Sequence, residues 1–229
     1  MSSGRAFSPR RMFSLSPHNS SHRSAGAYAV DVSSAVLARG RGVPLGFVDE
    51  KRLRALERRV DQVDFCAARV LATILLSFIS GIAWQSVRVR QFCEECGGSH
   101  GKPTCLVPAG YEVSWSHHEG IVAAAVAEHA IGIDVISRGA TGSQPSVMNG
   151  KLFCQAEALY KAGARTHGGL LPDDAPGSEA MVYRDTTNRR LRLLDRSSSQ
   201  WDLYIATSDP VQRHDLASLV VASGGRCLI

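Results

Sequence analysis

Four short stretches concentrate side chains of the kinds that bind anions and metals: Cys93-Glu-Glu-Cys-Gly-Gly-Ser-His-Gly-Lys-Pro103, Ser114-Trp-Ser-His-His118, Gly132-Ile-Asp-Val-Ile136 and Phe153-Cys-Gln-Ala-Glu-Ala-Leu-Tyr-Lys161. In the last, Phe153, Glu157 and Lys161 follow one another at steps of four. On a helix, the carboxylate and the ammonium then share a face and can converge on one ligand, or simply form a solvated ion pair worth a few tenths of a kcal/mol. Asp134 alternates with Ile133 and Val135 and puts a charge into an apolar stretch. Such an acid is a metal-ligand or catalytic candidate at a cleft, or an outward-facing strand residue.

These stretches need elements to position them. Ala27–Val32 reads as a strand, followed by a loop rich in glycine (Gly40, Gly42, Gly46) and by Asp49 as a helix N-cap. Leu53, Leu56, Val60, Val63, Ala67, Val70 and Ile74 then recur at steps of three and four, predicting one long amphipathic helical region. Val87–Phe92 reads as a short strand, Cys93–Pro103 as a loop, and Ile121–Ala127 and Ile131–Ile136 as two apolar strands. A loop over Ser137–Gly150 precedes a helix that starts near Leu152 and ends near Gly163. Met181–Tyr183, Leu191–Leu194, Trp201–Ala206 and Leu216–Ala222 are the remaining strand candidates. Mixed strands and helices without regular alternation predict an α+β architecture.

Composition bounds the function classes. With 44% apolar and 21% charged residues, the chain is neither fibrous nor wholly disordered. The net charge of +5 is concentrated at the start, where Arg5, Arg10, Arg11 and Arg23 meet no acid. Residues 1–25, Ser/Arg-rich and without apolar periodicity, read as a disordered basic tail. They fit either a transit peptide or an extension upstream of a second start at Met12. Six cysteines are too few for a disulfide-stapled scaffold, so reduced thiols and a cytoplasmic location are expected. The apolar run Val70–Trp84 contains Thr73, Ser77, Ser80 and Gly81 and is shorter than the roughly 20 residues of a bilayer span, which favours a core helix.

In this order the stretches resemble the 4′-phosphopantetheinyl transferase superfamily, in its monomeric surfactin-synthetase-activating type. The carrying residues are Cys93, Cys96, Gly97, His100, Gly101, Lys102 and Pro103 of the loop; the pair Ser116 and His117; Gly132 and Asp134; and Phe153, Glu157, Ala158 and Lys161 of the helix. His214 with Ala217–Ala222 is similar to a strand that often ends these enzymes. The resemblance implies two similar α+β halves, 26–128 and 129–229, related by a pseudo-twofold repeat, with coenzyme A in the cleft between them. It implies Mg²⁺-dependent transfer of 4′-phosphopantetheine to a serine of an acyl or peptidyl carrier protein, in fatty-acid, polyketide or nonribosomal peptide synthesis. Asp134 and Glu157 would hold Mg²⁺; Glu157, Asp134 and Lys161 would be catalytic, Glu157 helping to deprotonate the serine. Lys161, Lys102, His117, Ser116 and His100 would contact coenzyme A. Neither nucleic acid nor a membrane is expected as a partner, and a monomer suffices.

The chain departs from the family pattern at four points. Ile136 stands where a second acid follows the first, Ala156 replaces a lysine, His118 replaces a small hydroxyl residue, and Ser137–Gly150 is shorter than the family's connection. One alternative is therefore a degenerate member that binds coenzyme A or carrier protein without turnover. Another is a zinc-bound Cys93, Cys96, His100 and Cys105 cluster in a nucleic-acid-binding protein.

Overall fold

A computed structural model of the chain describes residues 26–40, 50–93, 95–98, 101–138, 147–164, 171–173, 181–217 and 219. The expected basic tail 1–25, the helix cap Asp49 and His100 lie outside them. Among the described residues the architecture is mixed α+β, with two sheets and four assigned α-helices.

The first sheet is built from β1 (Gly26–Val32), β2 (Arg88–Gln91), β3 (Pro103–Val107), β4 (Glu112–His118) and β5 (Ile121–Ala127). The second holds β6 (Ile131–Ser137), β7 (Leu171–Asp173), β8 (Met181–Arg184), β9 (Arg190–Asp195) and β10 (Trp201–Thr207) in the order β6-β10-β9-β8-β7, all antiparallel. A last short strand, β11 (Gln212–Arg213), returns to the first sheet and pairs parallel with β1, giving the order β11-β1-β5-β4-β3-β2.

Burial explains the layering. Every residue of β5 is buried, so the strand has apolar neighbours on both faces. Val122, Ala124 and Val126 face the long helix α3 (Arg59–Ser80) in one core, with Leu71, Ile74, Leu75 and Leu76. Ile121, Ala123, Ala125 and Ala127 face Ile131, Ile133, Leu203 and Ile205 of the second sheet. A third cluster packs Cys154, Ala158, Leu159 and Ala162 of α4 (Val147–Lys161) and the turn after it onto Leu191, Leu193, Tyr204 and Ala206. The order through the molecule is thus α3, first sheet, second sheet, α4. Each fully buried leucine or isoleucine contributes about 1.5–3 kcal/mol. By length and composition α3 could cross a membrane, but two thirds of its apolar window is buried inside the protein.

Several sequence expectations are corrected. The continuous helical region breaks into α2 (Glu50–Arg54) and α3. Arg58, in extended backbone, pairs with Asp61 of the first turn at 2.7 Å, a local bond that starts a new helix. Gly81, in the left-handed conformation at φ 70°, ends it. Helix α1 (Ser33–Arg39) and strands β3 and β4 are additions, and α4 begins at Val147, inside the expected loop. Leu216, Ala217 and Leu219 are helical rather than extended, and Leu216 and Leu219 bury against α3 in the first core.

Candidate functional site

The two sheets meet along the free edge of β6, and β4 covers that edge with side chains. Along β4, Ser114, Ser116 and His118 point to one face, as the period of two requires. The Ile133 amide donates to Ser114 Oγ at 3.1 Å, Ser116 Oγ donates to Asp134 Oδ1 at 2.7 Å, and the Ser137 amide donates to His118 Nδ1 at 3.1 Å. His118 thus caps an edge amide of β6 with its ring nitrogen.

Asp134 lies at the centre of this seam, only 5% exposed. Lys161 Nζ comes from α4 to within 2.5 Å of the same Asp134 Oδ1, and sits 3.4 Å from the Ile133 carbonyl oxygen. Asp134 is therefore not the outward-facing strand acid, and Lys161 pairs across elements rather than along its helix. Glu157, one turn earlier, makes no hydrogen bond or ion pair among the described residues. What brings α4 so close is Gly132: a Cβ there would sit 2.1 Å from the Ala158 carbonyl oxygen and 2.4 Å from the Ala162 nitrogen. Glycine at 132 and alanines at 158 and 162 form a flat contact on which the Asp134–Lys161 pair depends.

Beside the pair opens a cavity of about 790 Å³, whose walls include Lys102, Trp115, Glu157, Tyr160, Lys161 and Arg52. Its volume is that of a small-molecule site. Three cations face it, although Lys102 also pairs with Glu112 at 2.6 Å. Behind the wall the Arg69 guanidinium stacks 3.4 Å from the Phe65 ring centroid and 5.0 Å from that of Trp115. It donates to Gln91 Oε1 at 2.7 Å, and Gln91 Nε2 donates to the Gly101 carbonyl at 2.9 Å, tying α3 to the Gly101–Lys102 wall.

His117 points the other way. On β4 it alternates with Ser116 and falls on the face of Val113 and Trp115, toward α3. Burial pushes its imidazole below the ordinary range, only partly offset by the Asp64 carboxylate. Asp64 is fully buried, accepts from the Gly120 amide at 2.8 Å and leaves Oδ1 without a partner. The folded protein thus holds His117 neutral where the unfolded chain, with a pKa of about 6.5, protonates. Its stabilising contribution is full above about pH 6.5 and is lost as pH falls toward the depressed folded value. His214, edge-on to Phe78 and lowered by burial, acts in the same sense. The urea midpoint is expected to fall between about pH 7.5 and 5.5. The fall should shrink in His117→Gln and shrink further when His214→Gln is added; an unchanged pH slope in both variants contradicts the assignment.

Of the residues singled out in the sequence, the fold brings together Ser116, Asp134 and Lys161 as a bonded trio, with Glu157 and Lys102 on the adjoining wall. His117 stands on the opposite face of β4. Ile136, two residues after Asp134, packs toward the α4 cluster and faces apolar surroundings. Cys105 belongs to the first core and donates its thiol to the Pro108 carbonyl at 3.0 Å. Among the described residues no group of three or more His, Cys, Asp and Glu is placed to hold a metal ion. Arg52, Arg69, Gln91, Trp115 and Tyr160 are additions to the sequence reading. Trp115 lay within one of the chemical stretches, but Arg69 was hidden as a lone charge in an apolar helix. No family model matches the chain, and no curated protein matches it.

Proposed function

We propose that this chain transfers 4′-phosphopantetheine from coenzyme A to a serine hydroxyl of an acyl or peptidyl carrier protein. The observation that carries the reading is that Lys161, bonded to Asp134 beside Ser116, also lines a cavity whose walls add Glu157, Lys102 and Arg52. A pyrophosphate flanked by cations and two carboxylates suits such a wall, and Trp115 offers an aromatic surface to the organic part of the donor. The cavity takes walls from both sheets' elements, α2, β2 and β4 on one side and α4 on the other. We read the two halves, each an antiparallel sheet carrying one long helix, as the pseudo-twofold pair of that family.

The donor set fits Mg²⁺: Asp134 and Glu157 are hard carboxylate ligands, the Ser116 and Lys161 bonds both end on Asp134 Oδ1, the Cys154 thiol also interacts with that carboxylate, and Glu157 is without a partner among the described residues. Bound there, the ion would neutralise pyrophosphate charge and orient it for in-line displacement. The protein's own groups do the rest. Ser116 and Lys161 fix the Asp134 carboxylate by charge-assisted bonds. Lys161, Lys102 and Arg52 hold the phosphate oxygens. Glu157 takes the proton of the incoming serine as its oxygen attacks the β-phosphorus, and the adenine nucleotide leaves with the cleaved bond's electron pair. With Ile136 in place of a further acid, Asp134 and Glu157 would be the two carboxylates that hold the ion.

Equilibrium dialysis with coenzyme A tests the donor half of this reading. Binding is expected in the wild type, weakened about 10-fold or more in Lys161→Ala, in line with loss of a charge-assisted contact. Equal retention of coenzyme A by both proteins, or by neither, contradicts it.

A further inference from the structure

We propose that Cys93 and Cys96 form a reversible dithiol–disulfide couple whose state is felt at the cavity wall through Gly101. This inference does not rest on the transferase reading.

The two cysteines bracket one closed turn. The Cys93 amide donates to the Gly98 carbonyl and the Gly97 amide to the Cys93 carbonyl, both at 2.8 Å, with Gly97 at φ 70°. The Gly98 amide reaches Cys96 Sγ at 3.4 Å. Such a turn keeps the two α carbons within about 5–6 Å, a span that a disulfide bridges. The turn also aims donors at sulfur: the backbone of Cys96 and Glu95, and the Cys96 thiol, hold the Cys93 thiol below its ordinary range. Cys96 is exposed. The other described cysteines are the reverse. Cys66 and Cys154 are raised by burial, and Cys105 is pushed up to about 11. A half-exposed low-pKa thiol next to an exposed resolving thiol is the arrangement of a redox pair.

The oxidant is a low-molecular-weight disulfide. The Cys93 thiolate attacks one of its sulfurs and expels one thiolate, forming a mixed disulfide. Cys96 then loses its proton and attacks Cys93 Sγ, expelling the second. Two protein thiols become one disulfide, and one external disulfide becomes two thiols. The path to the cavity is a close approach: a Cβ on Gly101 would lie 2.6 Å from the Phe92 carbonyl oxygen and 3.2 Å from Cys93 Cα. Gly101 therefore lies flat on the Phe92–Cys93 backbone, and both Gly101 and Lys102 line the cavity. Closing the disulfide moves Cys93 and, with it, that wall.

Oxidised glutathione is the probe, with intact-mass and peptide mapping as readouts. The full chain should lose two hydrogens by bridging Cys93 to Cys96, Cys96→Ser should stop with one glutathione on Cys93, and Cys105→Ser should behave as wild type. In the reduced protein at pH 8, Cys93 should alkylate at least about 100-fold faster than Cys105, the ratio set by a thiol raised from 9.0 to about 11. Hydrogen exchange of the peptide carrying Gly101–Val107 should change several-fold on oxidation. Failure to bridge, or adducts spread evenly over the cysteines, overturns the couple. A formed bridge with unchanged exchange overturns its coupling to the wall.

Discussion

If the chain carries out the proposed phosphopantetheine transfer, replacing Asp134 by alanine is expected to lower it by at least about 100-fold, and the same change is expected to destabilise the fold. A group that orients and neutralises charge in the transition state is worth that much or more. The stability loss has a separate origin. Asp134 Oδ1 takes both the Ser116 hydroxyl and the Lys161 ammonium, whose side chains are otherwise largely covered. Without it Lys161 keeps, among the described residues, only the Ile133 carbonyl at 3.4 Å, and its partly buried charge has no counterion there. About 1–3 kcal/mol should be lost. Asp134→Asn separates the two effects. The amide retains an acceptor for Ser116 and the shape of the seam, so much of the stability should return while transfer stays low. Transfer at wild-type rate in either variant removes Asp134 from the chemistry.

Gly132→Ala should be the most damaging single methyl in the described part of the molecule. Its Cβ would overlap the backbone of α4 at Ala158 and Ala162, atoms that no side-chain rotation can move aside. The helix must back away from β6, separating Lys161 from Asp134 as it goes. Overpacking of this kind costs up to about 3 kcal/mol, or roughly 6–12 °C in melting temperature for a chain of this size. Gly150→Ala, in the same helix, is the internal comparison. A Cβ there meets nothing within 4 Å, so the change should stabilise by about 0.5–1 kcal/mol through helix propensity. Thermal melts of the two variants with shifts of the same sign contradict the packing described for α4.

Two of the three seam residues were legible in the sequence, Asp134 as a charge among isoleucine and valine and Lys161 as a step of four from Glu157, whereas Ser116 stood out only through the family resemblance. Gly132 was legible only as a motif position; its reason, contact with the α4 backbone, needs the tertiary fold. The faces of β4 were hidden because Ser, His and Trp do not announce a strand. Once β4 is known, its period of two separates Ser116 from His117 at once. Arg69 and Asp64 were unreadable because a buried charge in an apolar helix has partners distant in sequence, here Gln91 and the Gly120 amide. The break between α2 and α3 was masked by apolar spacing that continues across it. It is set by the local Arg58–Asp61 pair, which periodicity does not register.

Transfer itself is measured by intact-mass spectrometry of an apo carrier protein incubated with this chain, coenzyme A and Mg²⁺, with EDTA as control. A mass gain of one phosphopantetheine on the carrier's serine, abolished by EDTA and by Asp134→Ala, is the result predicted from the Ser116–Asp134–Lys161 seam and its cavity. No gain on fatty-acid, polyketide or peptide carrier proteins, under conditions where coenzyme A binds, would contradict it and leave a cavity that holds the donor without transferring its arm.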